Sequence, residues 1–254
     1  ETCLWTRGII PAQLSLETLS WACNKPKLDL HISSTLASCD PWCGTIYGDA
    51  SGGKFSAYPE LRRVGCGLIM LSSDSNSMAL KAAINFNLPG EVHTVPRGEL
   101  YCILVAVTLA PEDCSIDFVT DNEGNCNKYN KGRDFAVLTA NGDLFKQIFL
   151  ATRLKNISLT VRWMPSHTDE TDELPAGVTR RDVVGNNFAD IEAGKAALLY
   201  EVDLNASSMM LHYRALAGRI QRRIVAILQS LPQRKQFDKP LRIPLRKADL
   251  ESLF

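Results

Sequence analysis

Residues 45–205 alternate between strand-like and helix-like patterns, and this order limits the possible folds more than any other feature of the chain. Segment 157–163 shows the two-residue apolar period of a half-buried strand. Segment 96–109 has apolar residues at i, i+3, i+4 and i+7, which is typical of a helix. Further strands are predicted at 45–50, 65–71, 79–86 and 115–120, and a further helix from about 184 to 199. With one more helix between the last two strands, the order β-β-β-α-β-α-β-α predicts an α/β fold, with helices on the faces of a mixed sheet.

The segments on either side differ in character from residues 45–205. Residues 1–44 hold three of the four tryptophans and show little periodicity, so we interpret them as a linker or the remnant of an upstream domain. Residues 206–254 are predicted to form a helix followed by a basic tail. In this part, apolar residues recur at alternating spacings of four and three between 210 and 231, which predicts an amphipathic helix.

The net charge of zero hides an uneven distribution. The chain has 28 Lys and Arg and 28 Asp and Glu, and such a balance taken alone argues against a nucleic-acid partner. Residues 211–254, however, contain ten basic and three acidic residues. This basic excess fits a solvated face of a packed helix, contact with phosphates, or binding to a membrane surface, and these alternatives stay open. The sequence contains no run of 18 apolar residues, so no membrane span is predicted.

The eight cysteines are scattered along the chain without a dense framework. This distribution predicts free thiols in a reducing compartment, and therefore an intracellular protein, cytoplasmic or nuclear. No signal peptide is evident, and a chain that begins with Glu1 is expected to be a fragment or a processed product.

Four acidic residues lie near the ends of predicted strands or the starts of predicted helices: Asp49, Glu99, Asp121 and Asp190. If the strands that end near Asp49 and Asp121 are neighbours, the two side chains meet at one edge of the sheet. Clustered carboxylates repel one another, so such a group makes sense around hard cations such as Mg²⁺. Two such ions about 4 Å apart suit displacement at a phosphodiester. Taken singly, each residue also fits a turn or a helix-dipole role.

His167 follows the strand predicted at 157–163 and precedes an acidic segment. A histidine in such a loop is either simply exposed or a mobile proton carrier beside a metal site. The residues alone leave both interpretations open.

Five short segments together resemble the type 1 ribonuclease H family, particularly the domains attached to reverse transcriptases in retroelements. The matching segments are Tyr-Gly-Asp-Ala-Ser-Gly (47–52), Arg-Gly-Glu-Leu (97–100), Val-Thr-Asp-Asn (119–122), Pro-Ser-His-Thr (165–168) and Gly-Asn-Asn-Phe-Ala-Asp (185–190). They occur in the order of the family and span about residues 45–200.

The resemblance implies a five-stranded mixed sheet with strand order 3-2-1-4-5, flanking helices and a C-terminal amphipathic helix. It also implies catalytic and metal-binding roles for a set of five residues. Asp49, Glu99, Asp121 and Asp190 would hold two Mg²⁺ ions, with Mn²⁺ as an alternative, and Asp49 would bridge them. His167 would aid proton transfer or product release.

The same resemblance implies where a substrate would lie. Thr94 falls where the family grips a phosphate of the DNA strand, and Ser51 matches a position near the substrate backbone. Asn122 is predicted to be a third substrate-binding residue.

The function implied by the resemblance is that of an endonuclease. It would hydrolyse the RNA strand of RNA–DNA hybrids by two-metal-ion catalysis and recognise the RNA through its 2′-hydroxyls. Its partners would be the hybrid and an upstream reverse transcriptase in the same polyprotein, without a membrane. Two alternatives remain: a non-catalytic nucleic-acid-binding or scaffolding module of the same fold, and a DNA-acting enzyme of the integrase or exonuclease type.

Overall fold

A mixed sheet of six strands forms the centre of the fold. The computed structural model describes residues 2–10, 30–32, 41–72, 78–166, 168 and 173–232. The strands are β1 (Leu30–Ile32), β2 (Gly44–Ser51), β3 (Gly65–Leu71), β4 (Leu80–Asn87), β5 (Ser115–Thr120) and β6 (Ser158–Trp163). The helices are α1 (Thr2–Arg7), α2 (Val95–Leu109), α3 (Glu123–Asn130), α4 (Arg133–Ala136), α5 (Gly142–Leu154), α6 (Arg180–Leu199) and α7 (Leu204–Ser230).

The strand order across the sheet is β1-β4-β3-β2-β5-β6. Strands β2 to β6 alone therefore follow the order 3-2-1-4-5, which confirms the predicted fold class. Strands β2, β3 and β4 pair antiparallel, whereas β5 lies parallel to both β2 and β6. Strand β1, which pairs antiparallel with β4, was not predicted, because three residues are too few to show a period.

Each face of the sheet packs against helices, because side chains of a strand alternate between its two faces. On β2, Ile46 belongs to a large apolar core shared with α2 and α5, whereas Tyr47 belongs to a second core shared with α6. The alternation predicted for 157–163 holds at Val161, which is 2% exposed, whereas Trp163, which belongs to the same apolar period, is 41% exposed.

Helix α6 begins at Arg180, four residues before its predicted start. A capping box explains the difference: the hydroxyl of Thr179 accepts a hydrogen bond from the Asp182 backbone N–H, and the Asp182 carboxylate accepts one from the Thr179 N–H. Asp190 therefore lies in the middle of α6 instead of near its start. Helix α2 begins at Val95, which places Glu99 just beyond the first turn.

The chain divides into two compact units, Gln13–Met210 and Glu1–Ala12 with Leu211–Phe254. The sheet belongs to the first unit. In the second unit, the side-chain amide of Gln221 on α7 donates a hydrogen bond to the carbonyl of Gly8 at 2.9 Å. None of the described helices combines the length and the apolar character that a membrane crossing needs.

Glycines on β3 let α6 approach the sheet closely. A Cβ atom at Gly65 would collide with the backbone N of Ala197, and one at Gly67 would collide with the carbonyl O of Ala189. Gly67 is the β3 partner of Asp49 on β2, and Ala189 directly precedes Asp190. The close approach at Gly67 therefore brings the middle of α6 to the part of the sheet that carries Asp49.

We expect Gly67→Ala to lower the free energy of unfolding by about 1–3 kcal/mol, because helix backbone has to move to admit the methyl group. Gly194→Ala on α6, the helix that packs against Gly67, is the matched control. Apart from the helix's own backbone and the adjacent residues, no atom of the described residues lies within 4 Å of the added methyl group there, so this variant should be neutral or more stable by up to about 1 kcal/mol. Urea unfolding measures both values. Equal stabilities of the two variants would contradict the close packing of α6.

Candidate metal centre

Asp49 and Asp121 meet because β2 and β5 are parallel neighbours in register. Tyr47 pairs with Val119, and each aspartate lies two residues further along its own strand direction. By the alternation of side chains, Asp49 points toward the α6 face of the sheet, and Asp121 follows directly after the neighbouring end of β5. The predicted convergence of the two strand ends is thus present in the structure.

Helix α2 brings Glu99 to these aspartates. A Cβ atom at Gly98 would lie 2.7 Å from Cβ of Ala50 on β2, so only glycine permits this approach of helix and strand. One turn further on, the thiol of Cys102 lies 3.3 Å from the carbonyl O of Asp49 and donates to it. Burial raises the pKa of the Cys102 thiol, which keeps its proton available for that bond. These two contacts hold α2 against β2 beside Asp49.

Asp49, Glu99 and Asp121 each offer a carboxylate oxygen, and these three oxygens lie within 4.8 Å of one another. Asp49 is 7% exposed and Glu99 is 6% exposed, while Asp121 is half-buried. Burial and the repulsion of Asp121 raise the pKa of Asp49 to about 7 and that of Glu99 to about 8. Both groups therefore resist ionisation at neutral pH unless positive charge is supplied.

The remaining predicted metal ligand, Asp190, is exposed on α6 and does not belong to the group within 4.8 Å. It lies close enough to raise the pKa of Asp49, although less than burial and Asp121 do. His167, predicted as a proton carrier, lies outside the described residues.

The three predicted substrate-binding residues belong to different elements of the fold. Thr94 is the N-cap residue of α2, yet its hydroxyl makes no cap hydrogen bond. The hydroxyl of Ser51 accepts a hydrogen bond from the backbone N–H of Gly53 at 3.3 Å. Asn122 caps α3 by accepting from the Asn125 N–H, and its side chain also hydrogen-bonds Glu99, which partly offsets the rise in the pKa of that residue.

Trp163 is a residue of the site that the sequence pattern did not identify. Its indole N–H donates to the carbonyl O of Asp121 at 3.1 Å, just beyond the end of β5. The strand period assigned Trp163 to a buried face, and no local signal indicates that the indole lies beside Asp121. The hydrogen bond fixes the backbone of Asp121 at the bend between β5 and α3.

The donor set fits a hard divalent cation. Carboxylate oxygens are the ligands that such ions prefer, and the Glu99 Oε2 atom is buried without a hydrogen-bond partner among the described residues. A buried acceptor of this kind costs free energy unless a cation or donor approaches it. Nothing in the three side chains selects one metal over another.

The sheet order and flanking helices constitute the ribonuclease H-like fold, as the sequence resemblance predicts. No protein-family model matches the chain, and no curated protein matches it. Among solved structures, the chain is similar to ribonuclease H1 from the archaeon Halobacterium salinarum, with 16% identity, 60% of this chain and 95% of that chain covered, and a TM-score of 0.40.

Two further similar structures are also ribonuclease H domains by name. The ribonuclease H domain of prototype foamy virus shares 16% identity over 61% of this chain and 94% of that chain, with a TM-score of 0.41. LC11 ribonuclease H1, solved in complex with an RNA/DNA hybrid, shares 12% identity over 61% of this chain and 96% of that chain, with a TM-score of 0.43. At these identities and scores the likenesses do not bear on activity, and the strand order of the sheet defines the fold.

The raised pKa values of Asp49 and Glu99 predict how stability depends on pH in the metal-free protein. A carboxyl whose pKa is higher in the folded state than in the unfolded state contributes most to stability at low pH. This contribution is fully present below the pKa of the unfolded state, which is about 4. That contribution is lost as pH rises through 7 and 8. We therefore expect the free energy of unfolding, measured in urea with a chelator present, to decrease between pH 5 and pH 9.

Asp121→Asn should reduce this decrease by about 1–2 kcal/mol, because the variant removes a charge that raises both pKa values. Glu112→Gln, an exposed carboxylate elsewhere on the chain, is the matched control and should leave the pH dependence unchanged. If Asp121→Asn and Glu112→Gln behave alike, the carboxylates do not interact as described.

Proposed function

We propose that this chain is a metal-dependent endonuclease that hydrolyses the RNA strand of RNA–DNA hybrids. The observation that supports this most is the group of three carboxylates within 4.8 Å at the ends of β2 and β5, with an unpartnered buried oxygen on Glu99. Buried carboxylates that repel one another indicate a site built for cations. On a ribonuclease H-like fold, such a site suits phosphodiester hydrolysis.

In this proposal, Asp49, Glu99, Asp121 and Asp190 hold two Mg²⁺ ions, or Mn²⁺ in their place. When bound, such ions supply an activated water for attack on the phosphodiester and stabilise the leaving oxygen. Asp49 is suited to a shared position, since both Asp121 and Asp190 act on its pKa from different elements. The hydrogen bond from Trp163 to the Asp121 carbonyl holds the end of β5, and with it Asp121, beside Asp49.

The proposal also assigns substrate contacts to residues outside this cluster. The hydroxyl of Thr94 is not used in capping and can therefore donate to a phosphate of the DNA strand. Ser51 and Asn122 face the substrate backbone, and His167 assists proton transfer or product release. Contacts with 2′-hydroxyls across the minor groove distinguish the RNA strand from DNA.

We further propose a retroelement context for the chain. The five sequence segments resemble ribonuclease H domains attached to reverse transcriptases, so residues 1–44 would link to an upstream polymerase. Residues 45–205 would form the nuclease domain, and residues 206–254 a helix and basic tail. The six described cysteines are free, as expected, which suits an intracellular location.

The direct test incubates the protein with Mg²⁺ and a hybrid labelled on its RNA strand. We expect cleavage that leaves 5′-phosphate and 3′-hydroxyl ends, and a loss of about 100-fold or more in Asp121→Asn, because a charged ligand becomes neutral. Glu112→Gln should retain the wild-type rate. Denaturing gels with markers for both kinds of product end measure the rates and the chemistry.

Other outcomes of the same assay favour the alternatives. Binding of the hybrid without any cleavage would indicate a non-catalytic module of the same fold. Equal cutting of a duplex DNA control would indicate an integrase- or exonuclease-like enzyme. Cleavage that persists in Asp121→Asn would show that the carboxylate cluster is not the active site.

A further inference from the structure

His93, which directly precedes Thr94, is held in place at both ring nitrogens. Its Nδ1 atom accepts a hydrogen bond from the backbone N–H of Val64 at 3.1 Å. Its Nε2 atom lies 3.0 Å from the carbonyl O of Gly90, to which it donates. Since Nδ1 accepts and Nε2 donates, the contacts define a neutral ring protonated at Nε2.

The backbone of His93 is fixed as well as its ring. The guanidinium of Arg62 donates through Nη1 to the His93 carbonyl O at 3.2 Å and through Nε to the Ser56 carbonyl O at 2.7 Å. The segment between β2 and β3 therefore holds His93 at two points, the Val64 N–H and the Arg62 side chain.

Val64 connects this histidine to the start of α2. Its carbonyl accepts from the Leu88 N–H at 2.9 Å, and a Cβ atom at Gly98 on α2 would lie 2.6 Å from its Cγ1. Val64 is fully buried, so its backbone N–H needs an acceptor, and the histidine ring supplies it. The same residue thus positions both the segment before α2 and the helix itself.

Thr94 follows His93 across one planar peptide bond. The Thr94 carbonyl accepts the first helical hydrogen bonds of α2, from the N–H groups of Arg97 and Gly98, both at 3.0 Å. Thr94, with an extended backbone and a hydroxyl that makes no cap hydrogen bond, therefore lies between the fixed His93 and the first turn of α2.

We propose that His93 is a positioning residue for nucleic-acid binding: its neutral ring, fixed between Val64 and Gly90, holds Thr94 where its hydroxyl meets a phosphate of the bound strand. This inference rests on the proposed function. It assigns a role to a residue outside the carboxylate cluster, on the segment that leads into α2.

The arrangement makes hybrid binding sensitive to acid. Protonation of Nδ1 would place one N–H against the Val64 N–H and break the contact. Burial, with further contributions from the positive charges of Arg63 and Arg62, lowers the pKa of His93 below its ordinary value of 6.5. The ring is therefore neutral at pH 7, and the stabilisation is lost as pH falls below about 6.5 and through the pKa of the folded state.

The test compares hybrid binding by His93→Ala and His93→Asn, each in an Asp121→Asn background that leaves the RNA uncleaved. We expect His93→Ala to bind about tenfold more weakly, because one buried hydrogen bond is lost. His93→Asn should recover most of the affinity, because Oδ1 of asparagine occupies the position of Nδ1 and accepts from Val64. Val92→Ala, an exposed neighbour on the same segment, is the control and should bind as the parent does.

Two readouts separate positioning from a merely structural role. In the cleaving enzyme, His93→Ala should raise KM about tenfold and change kcat by less than about threefold, since Glu99 is held by other contacts. Between pH 7 and pH 5, the affinity of the parent protein should fall more steeply than that of His93→Asn, which cannot titrate. Circular dichroism of each variant checks that the fold is retained.

Nitrogen NMR of the ring tests the contact independently of nucleic acid, and should show an unprotonated Nδ1 and a protonated Nε2 at pH 7. Any other tautomer overturns the inference. Equal hybrid affinity of parent, His93→Ala and His93→Asn overturns it too, while leaving the proposed function in place. If the wild-type chain binds no hybrid at all, the proposed function fails together with this inference.

Discussion

The repulsion among three carboxylates in a largely buried place is the constraint around which this fold is arranged. Asp49, Glu99 and Asp121 lie on three different elements, and each would move apart from the others if its element were free to do so. The fold prevents this for Glu99 with the close contact of α2 against β2 at Gly98, while the contact of α6 with β3 at Gly67 keeps Asp190 near Asp49. The free energy of packing thus holds charges in an unfavourable arrangement, which a bound cation would make favourable.

Much of the fold follows from periodic patterns in the sequence. The strand at 158–163 and the helix at 95–109 agree with the prediction, because each carries its own apolar period. The sheet order 3-2-1-4-5 agrees with what the family resemblance implies. The start of α6 did not follow, since it depends on a capping box formed by Thr179 and Asp182 in a segment of mixed charge. Strand β1 did not follow either, because three residues show no period.

The carboxylates of the site were predictable in a different way. Asp49 stands near the end of β2 and Asp121 just beyond β5, and strand adjacency alone brings them together. Contacts between residues that are distant in sequence could not be predicted in this way. The bond from Trp163 to the Asp121 carbonyl spans 42 positions, and that from Val64 to His93 spans 29. Each requires the register of two elements to be known, so only the folded chain shows that these contacts form.

The central claim is that Asp49, Glu99 and Asp121 bind a divalent cation together. A crystal structure determined with Mn²⁺, with anomalous data to locate the metal, tests it most directly. The account predicts an anomalous peak about 2.1 Å from carboxylate oxygens of all three residues, and its loss in Asp121→Asn crystals grown under the same conditions. Carboxylates without a bound ion at saturating Mn²⁺, or a metal held elsewhere on the chain, would contradict it.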